Sequence, residues 1–382
     1  MTITSLGTGT ATLAIPYAPG KDEAAGYLYA VTVDDSGKSA RIASSAYDAG
    51  NGCVIFSTNH FSVYGIGYTA PSAKFTDIAD HWAKESIDYV VGRGLLSGTS
   101  DSTFSPDTAM TRGMLVTVLG RLSGTDMSGF TTSSFNDVNT DSYYAPYIEW
   151  AYKKGIVQGE GNGQFAPDRA VTREEIAMIF SNYAKAIGYT LPVNRTAATY
   201  ADASTIGSAY KTAVTAMQQA GIMMGDTNNK FNPKSSATRA EVSAMLTRYV
   251  KLTIAPDTAQ GWAVNDAGQW LYYKDGKALT GEQTIDGVKY FFYTTGVLKT
   301  GWVQDGSNWR FYSGNKLLTG WWDIGSGDSK QTYFFDTYGN MTSGKWLQIE
   351  GKWYYFNADG SLARNTTIDG YEVDENGVRK TE

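Results

Sequence analysis

The 382 residues carry 32 Lys and Arg against 38 Asp and Glu, and the resulting net charge of -6 is spread along the chain. No basic face is concentrated enough for nucleic-acid binding, which runs on phosphate neutralisation. A single cysteine, Cys53, excludes an internal disulfide and any multi-cysteine metal site, and no run of about 18 apolar residues is present to span a membrane.

Residues 1–70 alternate in short apolar runs, TATLAIPY, GYLYAVTV, GCVIFST and FSVYGIGY. Turn signals such as DDSG at 34–37 and AGNG at 49–52 separate them, which predicts a small all-β segment, the end of a larger domain. The opening MTITSLGTGTATLAIPYAPG lacks a charged region followed by an apolar core and is not a signal peptide. The expected reading is the tail of a longer exported protein. Cys53 and His60 invite comparison with a thiol nucleophile and its base. Cys53 lies in an apolar strand run without an orienting third group, so a buried inert thiol is expected instead. TAPSA at 69–73 reads as a linker.

From residue 71 to 254 the period becomes helical: in REEIAMIFSNYAKAIG, Ile176, Ile179, Phe180 and Tyr183 share one face. Three units repeat one plan. Each begins with a short helix ending at Gly94, Gly155 or Gly221, and a second glycine follows at Gly98, Gly159 or Gly225. Then come the phrases FSPDTAMTRGM, FAPDRAVTREE and FNPKSSATRAE, and a second helix. Thr172 with Glu175, and Thr238 with Glu241, fit a capping box. Arg112, Arg173 and Arg239 fall in the first turn, where a cation opposes the helix dipole. Two explanations stay open. Each arginine, with the helix N-terminus, forms an anion site, or each pairs with a carboxylate of a neighbouring unit.

Residues 255–382 change again. GWAVNDAGQWLYYKDGKALTG, GWVQDGSNWRFYSGNKLLTG and KWLQIEGKWYYFNADGSLARN give a repeat near twenty residues, closed by glycines at 281, 301, 320 and 344. Each is expected to be one β-hairpin, and stacking must supply the core that a lone hairpin lacks. The pairs Trp262 and Trp270, Trp302 and Trp309, and Trp346 and Trp353 recur. Their rings serve hairpin packing, or else present faces to a quaternary ammonium group or to a sugar.

The three units at 75–252 resemble S-layer homology domains, through openings such as FTDI and FNDV, the glycine-rich turn with Phe-x-Pro, and the Thr-Arg phrases MTRGM, VTREE and ATRAE, which are similar to that family's ITRAE motif. The resemblance implies a helical pseudo-threefold trimer that binds pyruvylated secondary polymers of the cell wall. It assigns the ligand contact to Arg112, Arg173 and Arg239, with Trp82 and the glycines Gly98, Gly159 and Gly225 as further candidates. In the first unit Met114 replaces the motif glutamate, which breaks the capping box there. Residues 261–378 resemble the cell-wall-binding repeats of choline-binding proteins and of clostridial-type surface proteins and toxins, on GWVQDGSNWRFYSGNKLLTG, KWLQIEGKWYYFNADGS and TIDGVKYFFYTTGVLKTG. That resemblance implies choline or glycan binding at Trp262, Trp270, Trp302, Trp309, Trp321, Trp346, Trp353 and Tyr355.

The expectation is therefore a multi-domain protein. An all-β segment spans 1–70, three S-layer homology repeats span 71–130, 131–195 and 196–254, and a β-hairpin solenoid spans 255–382. It would be a non-catalytic anchor outside the cell, attached non-covalently to a Gram-positive wall or S-layer, needing no cofactor or metal. Its partners would be an acidic secondary polymer and choline-bearing teichoic acid or another glycan. The alternatives are the anchoring tail of a wall hydrolase, or a toxin-like or adhesin-like glycan binder.

Overall fold

The alternating runs near the N-terminus fold as strands in the computed structural model, which describes residues 10–34, 36–71, 74–254, 261–274 and 277–380. The strands are β1 (Ala11–Pro16), β2 (Leu28–Val33), β3 (Ser39–Ile42), β4 (Ala46–Asp48), β5 (Cys53–Thr58) and β6 (Val63–Tyr68). They form two antiparallel sheets, β1-β5-β4 and β3-β2-β6, around Leu28, Ala30, Val54 and Phe56. Strands β3 and β4 were not expected; they are too short, and β3 too exposed, to carry an apolar alternation. Cys53 is buried in β5. His60 bonds Thr58 and Asn59.

The chain divides into two units, residues 1–268 with 273–277, and residues 269–272 with 278–382. In the first unit the repeated phrases build α1 (Lys84–Gly92), α2 (Arg112–Ser123), α3 (Ala145–Lys153), α4 (Arg173–Ala186), α5 (Lys211–Gln219) and α6 (Arg239–Ile254). The second helix of each repeat packs on the first helix of the next: α2 on α3, α4 on α5, and α6 back on α1. Short bridges Thr111–Ala170, Thr172–Ser236 and Ala109–Thr238 follow the same cycle. Phe104, Phe165 and Phe231 are fully buried in one shared core with Leu115, Ile176 and Val242. Arg93 ties the β segment to α1: it stacks 3.5 Å over Tyr89 and donates to the carbonyls of Leu28 and Ser45.

Strands β7 (Gly261–Val264), β8 (Trp270–Lys274) and β9 (Lys277–Ala278) follow α6. The second unit then carries antiparallel hairpins β10 (Gly281–Ile285) with β11 (Val288–Phe292), and β12 (Gly301–Asp305) with β13 (Asn308–Ser313), which β14 (Lys316–Leu317) extends. Next come β15 (Gly320–Ile324) with β16 (Gln331–Phe335), β17 (Lys345–Ile349) with β18 (Lys352–Phe356), and β19 (Thr366–Ile368) with β20 (Tyr371–Val373). Chain segments after a hairpin bond back to an earlier one, as in Met341 N–H to Trp309 O at 2.7 Å and Leu362 N–H to Thr332 O at 2.8 Å. Tyr312, Phe335 and Phe356 are buried between them, which is how marginal hairpins acquire a core. Gly281, Gly301 and Gly320 open strands rather than closing repeats, at φ of 69, 74 and 76°, a region where any other residue is strained. The expected turn KDGK includes residues 275 and 276, and the linker TAPSA includes 72 and 73; those four lie outside the described residues.

Candidate functional site

Each repeated phrase first builds a rigid loop. The residue between phenylalanine and proline is left-handed in all three: Ser105, Ala166 and Asn232 at φ of 57, 58 and 56°. For serine and alanine this costs energy. The cost is offset by an aspartate from the repeat's opening. Asp77 accepts the N–H groups of Phe104 and Ser105, Asp137 those of Phe165 and Ala166, and Asp202 those of Phe231 and Asn232.

The helix that follows docks its first turn on the next repeat's loop. Gly113, Glu174 and Ala240 donate their N–H groups to the carbonyls of Pro167, Pro233 and Pro106. Thr111, Thr172 and Thr238 cap the amides of Met114, Glu175 and Glu241. Glu175 and Glu241 complete the capping box and Met114 does not. These bonds correct one expectation: the helix N-terminal amides are consumed within the protein, so an anion site here rests on the arginine side chains.

Those side chains share one seat. Nε of Arg112, Arg173 and Arg239 donates to the carbonyl of Phe165, Phe231 and Phe104, and Nη2 donates to that of Gln158, Met224 and Ser97. Each guanidinium lies 4.4 to 5.1 Å from the ring of that same phenylalanine, a favourable cation–π placement. Reaching these carbonyls relieves the clash with the helix dipole that the sequence raised.

The seats differ in the acid beside them. Arg112 has Glu160 at 3.6 Å and Glu175 at 3.8 Å, and both carboxylates also bind Arg169. Arg112, Glu160 and Glu175, with Gly159, Asn182 and Tyr210, line a pocket of about 310 Å³. Arg173 binds Asp266 at 2.7 Å, with Glu241 at 3.8 Å. Among the described residues no carboxylate forms an ion pair with Arg239. Burial pushes Arg112 and Arg239 below the ordinary arginine range. Arg173 suffers the same burial, but Asp266 and Glu241 more than offset it and hold it above.

Trp82 packs beside the turn that carries Asp266: a Cβ on Gly268 would come within 2.7 Å of its indole. Gly98, Gly159 and Gly225 have a packing reason, since a Cβ there would strike the rings of Phe75, Phe135 and Tyr200 at 2.4 to 2.6 Å. Sequence reasoning missed Asp266, Arg248, Glu160 and Tyr210. None belongs to the Thr-Arg phrase, and no local pattern links them to it.

Several acids of this unit bind as carboxylates. Burial opposes ionisation of Asp77, Glu149 and Glu175, yet backbone N–H groups, Lys153 and Arg169 hold all three below the usual carboxylate range. Their contribution is complete above the unfolded value, about 4, and is lost as pH falls through the depressed folded values. Glu241, raised by burial, acts in the opposite sense and offsets part of this. The melting temperature of the helical unit should therefore fall on acidification below about pH 4. Circular-dichroism melts check this, and a flat profile down to about pH 2 would refute it.

In the second unit the rings are both packed and open. Trp302, 36% exposed, has Phe311 at 5.2 Å across its own hairpin, and Tyr333 at 4.9 Å and Phe335 at 5.9 Å from the next. Trp321, 38% exposed, repeats this with Phe334 at 5.1 Å, Tyr354 at 4.9 Å and Phe356 at 5.6 Å. Trp346 departs from the pattern. It faces Tyr355 and Tyr371, its indole N–H donates to Asp369, and Arg379 already stacks on Tyr371 at 3.6 Å. Trp309 lies 6.4 Å from Trp302. Trp353 is exposed and Trp270 is half-buried, as is Trp262 of the first unit. Among the described residues no cluster of three or more His, Cys, Asp or Glu could hold a metal, and no helix is long and apolar enough to cross a membrane.

The family model of the S-layer homology domain matches residues 74–113, 134–177 and 199–243, and that of the choline-binding repeat matches 318–366. An amylopullulanase of Thermoanaerobacterium thermosulfurigenes is 32% identical over 199 residues, 52% of this chain and 10% of that protein. An S-layer protein of Bacillus thuringiensis subsp. finitimus is 29% identical over 184 residues, 48% of this chain and 22% of its own length. The chain thus spans less than a quarter of either relative. Among solved structures, choline binding protein F of Streptococcus pneumoniae is 35% identical, covering 32% of this chain and 40% of that one, with a TM-score of 0.28.

Proposed function

We propose, for a chain that carries three S-layer homology domains and a choline-binding repeat, that it is a non-catalytic anchor with two kinds of wall contact. The domains at 71–130, 131–195 and 196–254 would form a pseudo-threefold trimer whose arginine grooves take the acidic groups of a pyruvylated secondary polymer. The hairpins within 255–382 would form a solenoid whose aromatic sites take choline or a glycan. The observation that carries the groove reading is the seat of Arg239: its guanidinium is aligned by Phe104 and Ser97, as its two counterparts are by theirs, yet among the described residues no acid forms an ion pair with it. A second reading is favoured by the span of the match. Since the matched stretch is 10% of an amylopullulanase, this anchor also fits as the attachment end of a polysaccharide-acting enzyme. Several weak contacts on one chain give avidity, so modest affinity at each suffices.

The test uses the full chain with Gram-positive wall sacculi in saturating free choline, which silences ammonium sites. The chain should sediment with intact walls and stay in solution with walls stripped of secondary polymer by acid. Equal sedimentation with both would overturn the groove reading.

A further inference from the structure

The acid on Arg173 is held as a ligand is held. Asp266 is 2% exposed. Its Oδ2 accepts from Arg173 Nη2 at 2.7 Å and from the Met224 N–H at 2.9 Å, while Oδ1 accepts from Arg248 Nη1. Neighbours on the same turn secure it: Asn265 donates to Gly225 O at 2.8 Å, Arg248 Nη2 donates to Val264 O at 2.6 Å, and Gly268 lies against Trp82. One carboxylate is thus clasped by two guanidinium groups and a backbone N–H, the usual chemistry of a strong carboxylate site.

The two cations of that clasp recur elsewhere. Arg248 donates to Ile222 O and Arg173 to Met224 O, carbonyls two residues apart in the turn after α5. In the first repeat Arg121 donates to Leu95 O at 3.1 Å and Arg239 to Ser97 O at 2.6 Å, again two residues apart in the turn after α1. In the second repeat the place of Arg248 belongs to Asn182, which donates to Ile156 O, so that groove has one cation of the pair and two acids of its own. Tyr143, 55% exposed, reports both cations of the first-repeat clasp. Its phenol is raised by burial, Tyr144 and Asp168, and Arg121 and Arg239 offset part of that rise. Asp77, whose charge acts on Arg239, is already committed to the Phe104 and Ser105 amides.

We propose that Asp266 is an internal ligand that closes the groove at Arg173, and that Arg121 with Arg239 forms the same two-arginine clasp in open form, taking one carboxylate of an acidic polymer. This rests on the groove reading above and names within it the second ligand-binding cation and the groove that is shut.

Calorimetric titration of the full chain with a pyruvylated hexosamine glycoside tests it. Arg121→Gln should weaken binding at least tenfold, and Arg121→Lys, which keeps the charge, should recover most of it. Asp266→Ala should add one site, and Asp266→Ala with Arg248→Gln should remove that site again; Asp266→Asn is the fallback if the alanine variant does not fold. If Arg121→Gln binds like the parent chain while Arg239→Ala does not bind, the clasp is wrong and the groove reading survives. If the site number stays the same in both Asp266 variants, the internal ligand is wrong. Absence of binding by the parent chain and by every variant would overturn the groove reading together with the proposal.

Discussion

Arg239→Ala is expected to weaken retention of the full chain on intact walls, held in saturating choline, by roughly ten- to hundredfold. The estimate comes from hydrogen bonds to a charged partner, worth about 1.5–3 kcal/mol, with tenfold per about 1.4 kcal/mol. The residue also donates to the carbonyls of Phe104 and Ser97 and lies over the Phe104 ring, so the variant will lose some stability. Retention must be compared at a temperature where circular dichroism shows both proteins folded. Arg239→Lys separates the two effects. It restores charge without the fork that reaches both carbonyls and a ligand together, so partial recovery is expected.

Trp321→Ala combined with Trp302→Ala should abolish elution of the chain from choline-bearing walls by free choline, and each single variant should weaken choline binding about fivefold to thirtyfold. Each tryptophan faces a tyrosine and a phenylalanine of the next hairpin. A cation on an aromatic face gains about 1–2 kcal/mol once desolvated. Trp346→Ala should have a smaller effect, because Arg379 already covers Tyr371 and Asp369 holds the indole N–H. Tryptophan fluorescence titration with choline reads all three. If the parent chain gives no response to choline but one to a neutral wall glycan, the aromatic sites are sugar platforms.

The parts of this molecule that could be read from the sequence are local. A capping box occupies four consecutive positions, Phe-x-Pro fixes one loop, and a hairpin needs only its strands and turn. Their recurrence located the three arginines and the aromatic pairs. The partners of those arginines lie far away in the chain. Arg112 reaches Phe165, Arg239 reaches Phe104, and Asp266 is 93 residues from Arg173. Nothing in NDAG at 265–268 marks its aspartate as the filling of a groove; by pattern it is a turn residue like the aspartates in ADGS or VDENG. The packing role of the glycines was hidden for a related reason. Gly98, Gly159 and Gly225 recur beside the arginine seats, and their smallness is explained by rings that sequence spacing does not bring near. The helix N-termini offered anion sites on general grounds, but their amides are spent on the neighbouring repeat.

The most direct measurement is the retention of three single variants, Arg112→Ala, Arg173→Ala and Arg239→Ala, on intact walls in saturating choline. The grooves differ by the acid beside each arginine: none among the described residues at Arg239, a shared pair of glutamates at Arg112, a buried aspartate at Arg173. The expected order of loss is Arg239 first, Arg112 second, and Arg173 with retention near that of the parent chain. Equal losses at all three, or the largest loss at Arg173, would contradict unequal occupancy of the grooves, and no loss at any of them would contradict anchoring through arginine.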